Sequence, residues 1–128
     1  FRYDFADNKL TDYGKAFGEE NTEWDHIIFS HAGGLVFGTD GLLYFAANVK
    51  DGAKSFPHLI RMNTETGKRE NLGMFHDNGS PADHISRAAA DRDGNLYFAE
   101  TGNTPTKIFK YIPEKAGKIK MKTRRVWG

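Results

Sequence analysis

The same short pattern occurs twice in this chain, and that repetition restricts its folds more than any other feature. Leu35 to Ala47 reads LVFGTDGLLYFAA, and Ala88 to Glu100 reads AAADRDGNLYFAE. At a constant spacing of 53 residues, Asp40 matches Asp93, Gly41 matches Gly94, and Leu43-Tyr44-Phe45 matches Leu96-Tyr97-Phe98. Neither run has a helical period. Each is a pair of β-prone segments around an Asp-Gly dipeptide, which accepts the positive φ that a tight turn demands. The chain reads as a repeat built from β-hairpins.

Flanking segments extend the unit. Phe1 to Phe17 aligns with Ile60 to Phe75 at a spacing of 59, matching Arg2 with Arg61, Asp4 with Asn63 and Gly14 with Gly73. Both read as strand, polar turn (Asp7-Asn8 or Glu65-Thr66-Gly67) and second strand. Ile108 to Met121 is a third copy, with Pro113 and Gly117 bracketing its turn. A full unit then has four short strands, expected at 34–37, 42–46, 59–63 and 69–72, and again at 87–90, 96–99, 108–111 and 119–122. Helix is expected at most as single turns in 14–20 and 81–85.

Four strands in a unit of roughly 50 residues is the signature of a β-propeller blade. The expected fold class is all-β, a propeller segment of four-stranded antiparallel blades from a ring of roughly six to eight. Residues 1–24 would be the C-terminal half of one blade, 25–77 a complete blade, and 78–128 another. Such a segment leaves sheet faces and edges uncovered. Either it is excised from a longer propeller or several copies close a ring, and the excised segment is favoured.

Composition matters here mainly for what it excludes. Eighteen basic against 17 acidic residues give a net charge of +1, so no global field draws in nucleic acid. The basic run from Lys115 to Arg125 alternates Lys with Ile and Met, as an edge strand with one solvated face does. No stretch approaches the ~20 apolar residues needed to cross a bilayer as a helix. Neither nucleic acid nor membrane is an expected partner. The absence of cysteine excludes disulfides and thiolate metal sites without deciding the compartment. A secreted or periplasmic location is favoured, with the cytoplasm left open.

The candidate site comes from the longer loops. Strands alternate direction, so the minimal hairpins at 39–41 and 92–94 share one face of the disc. The long connections 21–33 and 76–86, with loops 48–57 and 101–106, share the other, where binding residues usually lie. At the same 53-residue spacing His31 falls on His84, so each unit places an imidazole just before its first strand. Asn48, Glu100 and Asp83 lie toward that face, with Arg87 nearby. Together these residues could bind a divalent metal or an anionic sugar, or move protons. Repeats also duplicate purely structural residues, so a His that stitches two units together is the competing reading. His26, His58 and His76 have no repeat partner and read as surface or inter-unit residues. The run Asp91 to Asn95 looks superficially like a calcium loop, but it lacks the twelfth-position Glu and reads as a hairpin turn.

DRDGNLYFAE followed by KIFKYIPEKAGK resembles blades of the streptogramin-lyase and gluconolactonase-like propeller superfamily. LIRMNTETGKRENLG and RYDFADNKLTDYG resemble blades of propeller polysaccharide lyases of the ulvan-lyase type. That resemblance implies cleavage of a uronate-containing polysaccharide by β-elimination, with His31 and His84 as axial bases and Arg87 offsetting the substrate carboxylate. By their place on the long-loop face Asn48, Glu100 and Asp83 are candidate substrate-binding residues, and His31 and His84 candidate ligands of a divalent ion (Zn, Ca or Mg); in the lactonase-like alternative the resemblance implies that Asn48 and Glu100 supply part of the metal site. The alternatives are a non-catalytic propeller binding glycans or proteins, and a metal-dependent lactonase or streptogramin-type lyase. Expected partners are a polysaccharide or other small substrate, and further blades of the same chain or of other copies.

Overall fold

A computed structural model describes residues 1–14, 33–51, 53–113 and 120–125. Every regular element among them is a β-strand. A first hairpin pairs β1 (Arg2–Asp4) with β2 (Lys9–Thr11). A four-stranded sheet follows in simple meander order: β3 (Gly33–Phe37), β4 (Leu43–Asp51), β5 (Lys54–Met62) and β6 (Arg69–Met74). A small hairpin, β7 (His76–Asp77) with β8 (Ser80–Pro81), leads to a second four-stranded meander. That sheet contains β9 (His84–Ala90), β10 (Leu96–Thr101), β11 (Lys107–Ile112) and β12 (Lys120–Arg125), with β12 at its edge. All pairings are antiparallel.

Strand alternation sends every second side chain to one face. In β4 this splits Tyr44 and Ala46 from Phe45 and Ala47, and both sets are buried. Tyr44, Ala46 and Leu59 meet Leu96, Phe98, Phe109 and Tyr111 of the second sheet in one core. Phe75 lies between β6 and β7 and plugs this core, its ring 5.2 Å from that of Phe98 and 5.3 Å from that of Phe109. Its amide donates to the Pro57 carbonyl at 3.0 Å, and its carbonyl accepts from Ala82 at 2.8 Å. Burying each such ring is worth about 1.5–3 kcal/mol. On the opposite face of the first sheet, Phe45, Ala47, Ile60 and Met62 form a second cluster beside Tyr13, Leu43 and Val49.

The sheets meet along β3 and β9, where glycine is required. A Cβ on Gly33 would lie 1.8 Å from the Ile85 carbonyl oxygen. Gly34 has φ +61, and a Cβ there would lie 3.0 Å from the Arg87 carbonyl. Backbone thus packs on backbone.

Both repeat hairpins turn in the same way. Gly41 donates to the Gly38 carbonyl at 3.0 Å, and Gly38 to the Leu42 carbonyl at 2.9 Å. Gly94 donates to Asp91 at 3.2 Å, and Asp91 to Asn95 at 2.9 Å. Positive φ falls on Gly41 (+78) and Gly94 (+84), while the Asp before each stays out of that region. This is a three-residue loop ending in a left-handed glycine. A carboxylate anchors the following tyrosine in each turn, though from different positions. The Tyr44 hydroxyl donates to Asp40 at 2.6 Å, and that of Tyr97 to Asp91 at 3.0 Å. Burial, then the bond to Asp40, pushes the Tyr44 phenol above its ordinary range.

Two segments differ from the expectation. Residues 48–57 were expected to be a loop, but β4 and β5 continue pairing from Asn48↔Pro57 out to Asp51↔Lys54. Val49 packs against the second cluster and carries the ladder outward. The helical turn expected at 81–85 is replaced by the end of β8 and the start of β9, because Ala82 and Ile85 are drawn into the inter-sheet core. The turn expected over 14–20 lies outside the described residues except for Gly14.

Candidate functional site

The polar end of the second sheet is shaped by an irregularity between β9 and β10. Ala99 pairs with Arg87 but Glu100 pairs with Ile85, so Ser86 is an extra residue on β9. Ile85 enters the core, and Glu100, directly opposite, shares that face. Glu100 is fully buried. Its Oε1 accepts the Asp83 amide at 3.0 Å and the Asn103 side-chain amide at 2.5 Å, while Oε2 is buried with no hydrogen-bond partner. Gly102 (φ +100) closes the cluster, since a Cβ there would meet Asp83 Oδ2 at 1.8 Å. Glu100 therefore ties the 101–106 loop to the entry of β9.

A polar groove of about 340 Å³ opens beside this cluster, lined by Asp77, Asn78, Ser80, Asn103, Thr104 and Lys107 among others. Lys107 begins β11 and is buried, on the same face as Phe109 and Tyr111.

His84 and Arg87 turn the other way. Thr101 pairs with His84 one step beyond the Glu100–Ile85 pair, so His84 projects from the opposite face to Glu100. Arg87, opposite Ala99, shares that outer face. His84 is half-buried and Arg87 exposed, its guanidinium donating to the Ser86 carbonyl at 3.2 Å. Tyr97 lies further along the same face, with the Lys110 ammonium 5.5 Å from its ring centroid.

The sequence-derived residues thus separate into two groups. Glu100 and the Asp83 backbone belong to the inter-sheet cluster, and the Asp83 side chain is exposed. His84 and Arg87 belong to the outer face of β9. Asn48 is half-buried in the extended β4–β5 arm, opposite Pro57. His31 lies outside the described residues. Among the described residues no three His, Asp or Glu side chains come together as cation ligands, and His84 and Glu100 face opposite ways. The described residues therefore do not by themselves make a divalent-ion site.

Three contributors were not singled out from sequence: Gly102, Asn103 and Lys107. The 101–106 loop was marked as a place for binding residues. Only the fold brings Asn103 under Glu100. His58 shares a hydrogen bond with Asn71 at 3.1 Å, and His76 Nδ1 accepts the Gly79 amide at 3.2 Å, so both serve local structure. The Asp91 carboxylate is occupied in its turn, accepting from Asp93, Asn95 and Tyr97. No family model, curated protein or solved structure matches the chain.

Proposed function

We propose that the two meanders are consecutive blades of a β-propeller, and that the protein acts on a uronate-containing polysaccharide by β-elimination. The observation carrying this reading is that His84 and Arg87 share one face of β9, the first strand of its sheet, away from the inter-sheet core. An imidazole and a guanidinium on one face are what the first step needs. In its neutral form His84 would take the C5 proton, and Arg87 would offset the carboxylate charge. The electrons of the C–H bond pass into the aci-carboxylate and then form the C4–C5 double bond as the C4–oxygen bond breaks, the departing oxygen taking a proton from solvent water and His84 later releasing its own to solvent. Stabilising that aci-carboxylate is where rate must come from.

The test is the absorbance of the new double bond on incubation with uronate-containing polysaccharides. Arg87→Ala should reduce the rate about 100-fold or more, as loss of one charge-stabilising donor does, and His84→Ala should abolish it. Full activity in both variants, or no double bond from any uronate polymer, would sink the reading. A second reading is a non-catalytic module that binds glycans. It is favoured by Glu100, whose carboxylate is committed to the Asp83 amide and Asn103 rather than to an open surface. In that case His84→Ala leaves glycan binding intact.

A further inference from the structure

The polar groove beside Glu100 has a chemistry of its own. One wall is the β7–β8 hairpin, whose Asn78-Gly79 turn has positive φ at both residues (+50 and +83), as a tight two-residue hairpin requires. The other wall is the 101–106 loop with the start of β11. At about 340 Å³ the groove lies near the small end of ligand pockets, which run from roughly 300 to 1,000 Å³.

Lys107 distinguishes this groove from an ordinary surface dip. Alternation from Phe109 and Tyr111 sends its side chain toward the core, and it is only 8% exposed. It lines the groove, and among the described residues nothing accepts a hydrogen bond from its ammonium or pairs with it. An enclosed cation gains more from an added acceptor than one in open water, because fewer waters compete for it. Asn103 supplies the complementary group. Its side-chain amide is committed to the buried Glu100 carboxylate, which leaves its Oδ1 to accept from a ligand. Asn78, Ser80 and Thr104 add groups that both donate and accept, and Pro81 and Pro105 add apolar surface.

Charge narrows the class of ligand. Glu100 lies opposite Lys107, one step beyond the Ala99–Ile108 pair, and Asp77 lines the groove. Two carboxylates oppose an anion, and the enclosed ammonium opposes a cation. A wholly apolar ligand would leave Lys107 buried without an acceptor. The group that answers both Lys107 and Asn103 is a neutral hydroxyl, which accepts and donates at once.

We propose that this groove binds one neutral sugar ring. One ring hydroxyl accepts from Lys107, its neighbour donates to Asn103 Oδ1, and the C–H face of the ring rests on Pro81 and Pro105. The site is separate from the proposed elimination chemistry, because His84 and Arg87 project from the opposite face of the sheet. The double-bond assay and the sugar titration therefore succeed or fail independently.

The test is amide NMR of the full chain titrated with glucose, galactose, mannose and xylose, with glucuronate and galacturonate as charged matches of the first two. At least one neutral sugar should bind with a Kd of about 1 mM, as suits a ligand of roughly a dozen heavy atoms. Shifts should be confined to amides in 77–81 and 103–107, and neither uronate should bind more tightly than its neutral match. Lys107→Met keeps the buried stem, removes the charge, and should weaken binding about tenfold or more, as loss of a hydrogen bond to a charged group does. Asn78→Gly suits the positive φ of an exposed turn and should weaken binding by less, with the fold intact. No shift in those segments with any of the four sugars, or a uronate bound more tightly than its match, would overturn the proposal. So would undiminished binding in a folded Lys107→Met protein, or in Asn78→Gly where Lys107→Met fails to fold.

Discussion

β3 and β9 hold the same place in their sheets but differ in side-chain character along their length. β3 begins with Gly33-Gly34 and continues through Leu35 and Phe37. The matching positions of β9 are Ser86-Arg87, then Ala88 and Ala90. The glycines let the β3 backbone press on Ile85 and Arg87, and Leu35 and Phe37 leave β3 with apolar surface to share elsewhere. β9 gives only Ile85 and Ala88 to the common core and presents polar groups on its other side. β3 carries apolar side chains beyond the shared core, whereas β9 packs on one side and presents His84 and Arg87 on the other.

The sharpest way to break this comparison is to empty the shared core. Phe75→Ala should cost about 3–5 kcal/mol, as large-to-small changes at buried rings do. Leu35→Ala should change the unfolding free energy read from chemical denaturation by less than about 0.5 kcal/mol. Equal losses would mean that the two faces are not distinct. A smaller effect is expected from Gly33→Ala. The added methyl meets a backbone carbonyl that cannot swing aside, so about 1–3 kcal/mol should be lost, against almost nothing for Ser86→Ala at the matching position.

The turns provide a finer comparison. Tyr44→Phe removes a buried hydroxyl's bond to Asp40 and should cost about 1 kcal/mol. Tyr97→Phe should cost less, because Asp91 retains its bonds to Asn95 and to the turn amides. A larger loss at Tyr97 would reverse the ranking of the two anchors. The smallest effect concerns acid. The Asn95 side chain, then the backbone amides and Tyr97, hold the Asp91 carboxyl below its ordinary value. A depressed folded value means the stabilisation is fully present above the unfolded value near pH ~4. It is lost as pH falls through the folded value. The protection factor of the Gly94 amide, taken against its intrinsic exchange rate at each pH, should therefore fall in acid, and Asp91→Asn should flatten that dependence. An unchanged pH profile in Asp91→Asn would remove Asp91 from the account.

Much of the fold was legible because β periodicity is local. The Asp-Gly turns, the Tyr and Phe positions of β4 and β10, and the four-strand order all follow from residues close in sequence. The 48–57 arm was misread as a loop because its polar residues mask a ladder that Val49 supports through a distant cluster. The site was less legible for the same kind of reason. The spacing that matched His31 with His84 marks where each unit begins and carries no information about which face a side chain takes. Ser86, a single extra residue against β10, sets the facing of His84 and Arg87, and repeat alignment alone does not reveal it.

The sequence by itself determined an all-β repeat of antiparallel meanders, the positions of its tight turns, and the residues available for chemistry. Only the tertiary structure decided that Glu100 is enclosed with Asp83 and Asn103 while His84 and Arg87 face outward, and that Phe45, Ile60 and Met62 of the first sheet form a cluster apart from the inter-sheet core. The physical reason is range. Alternation and turn propensity act over a few residues, whereas burial and facing depend on which distant strand, glycine or carbonyl arrives on the other side.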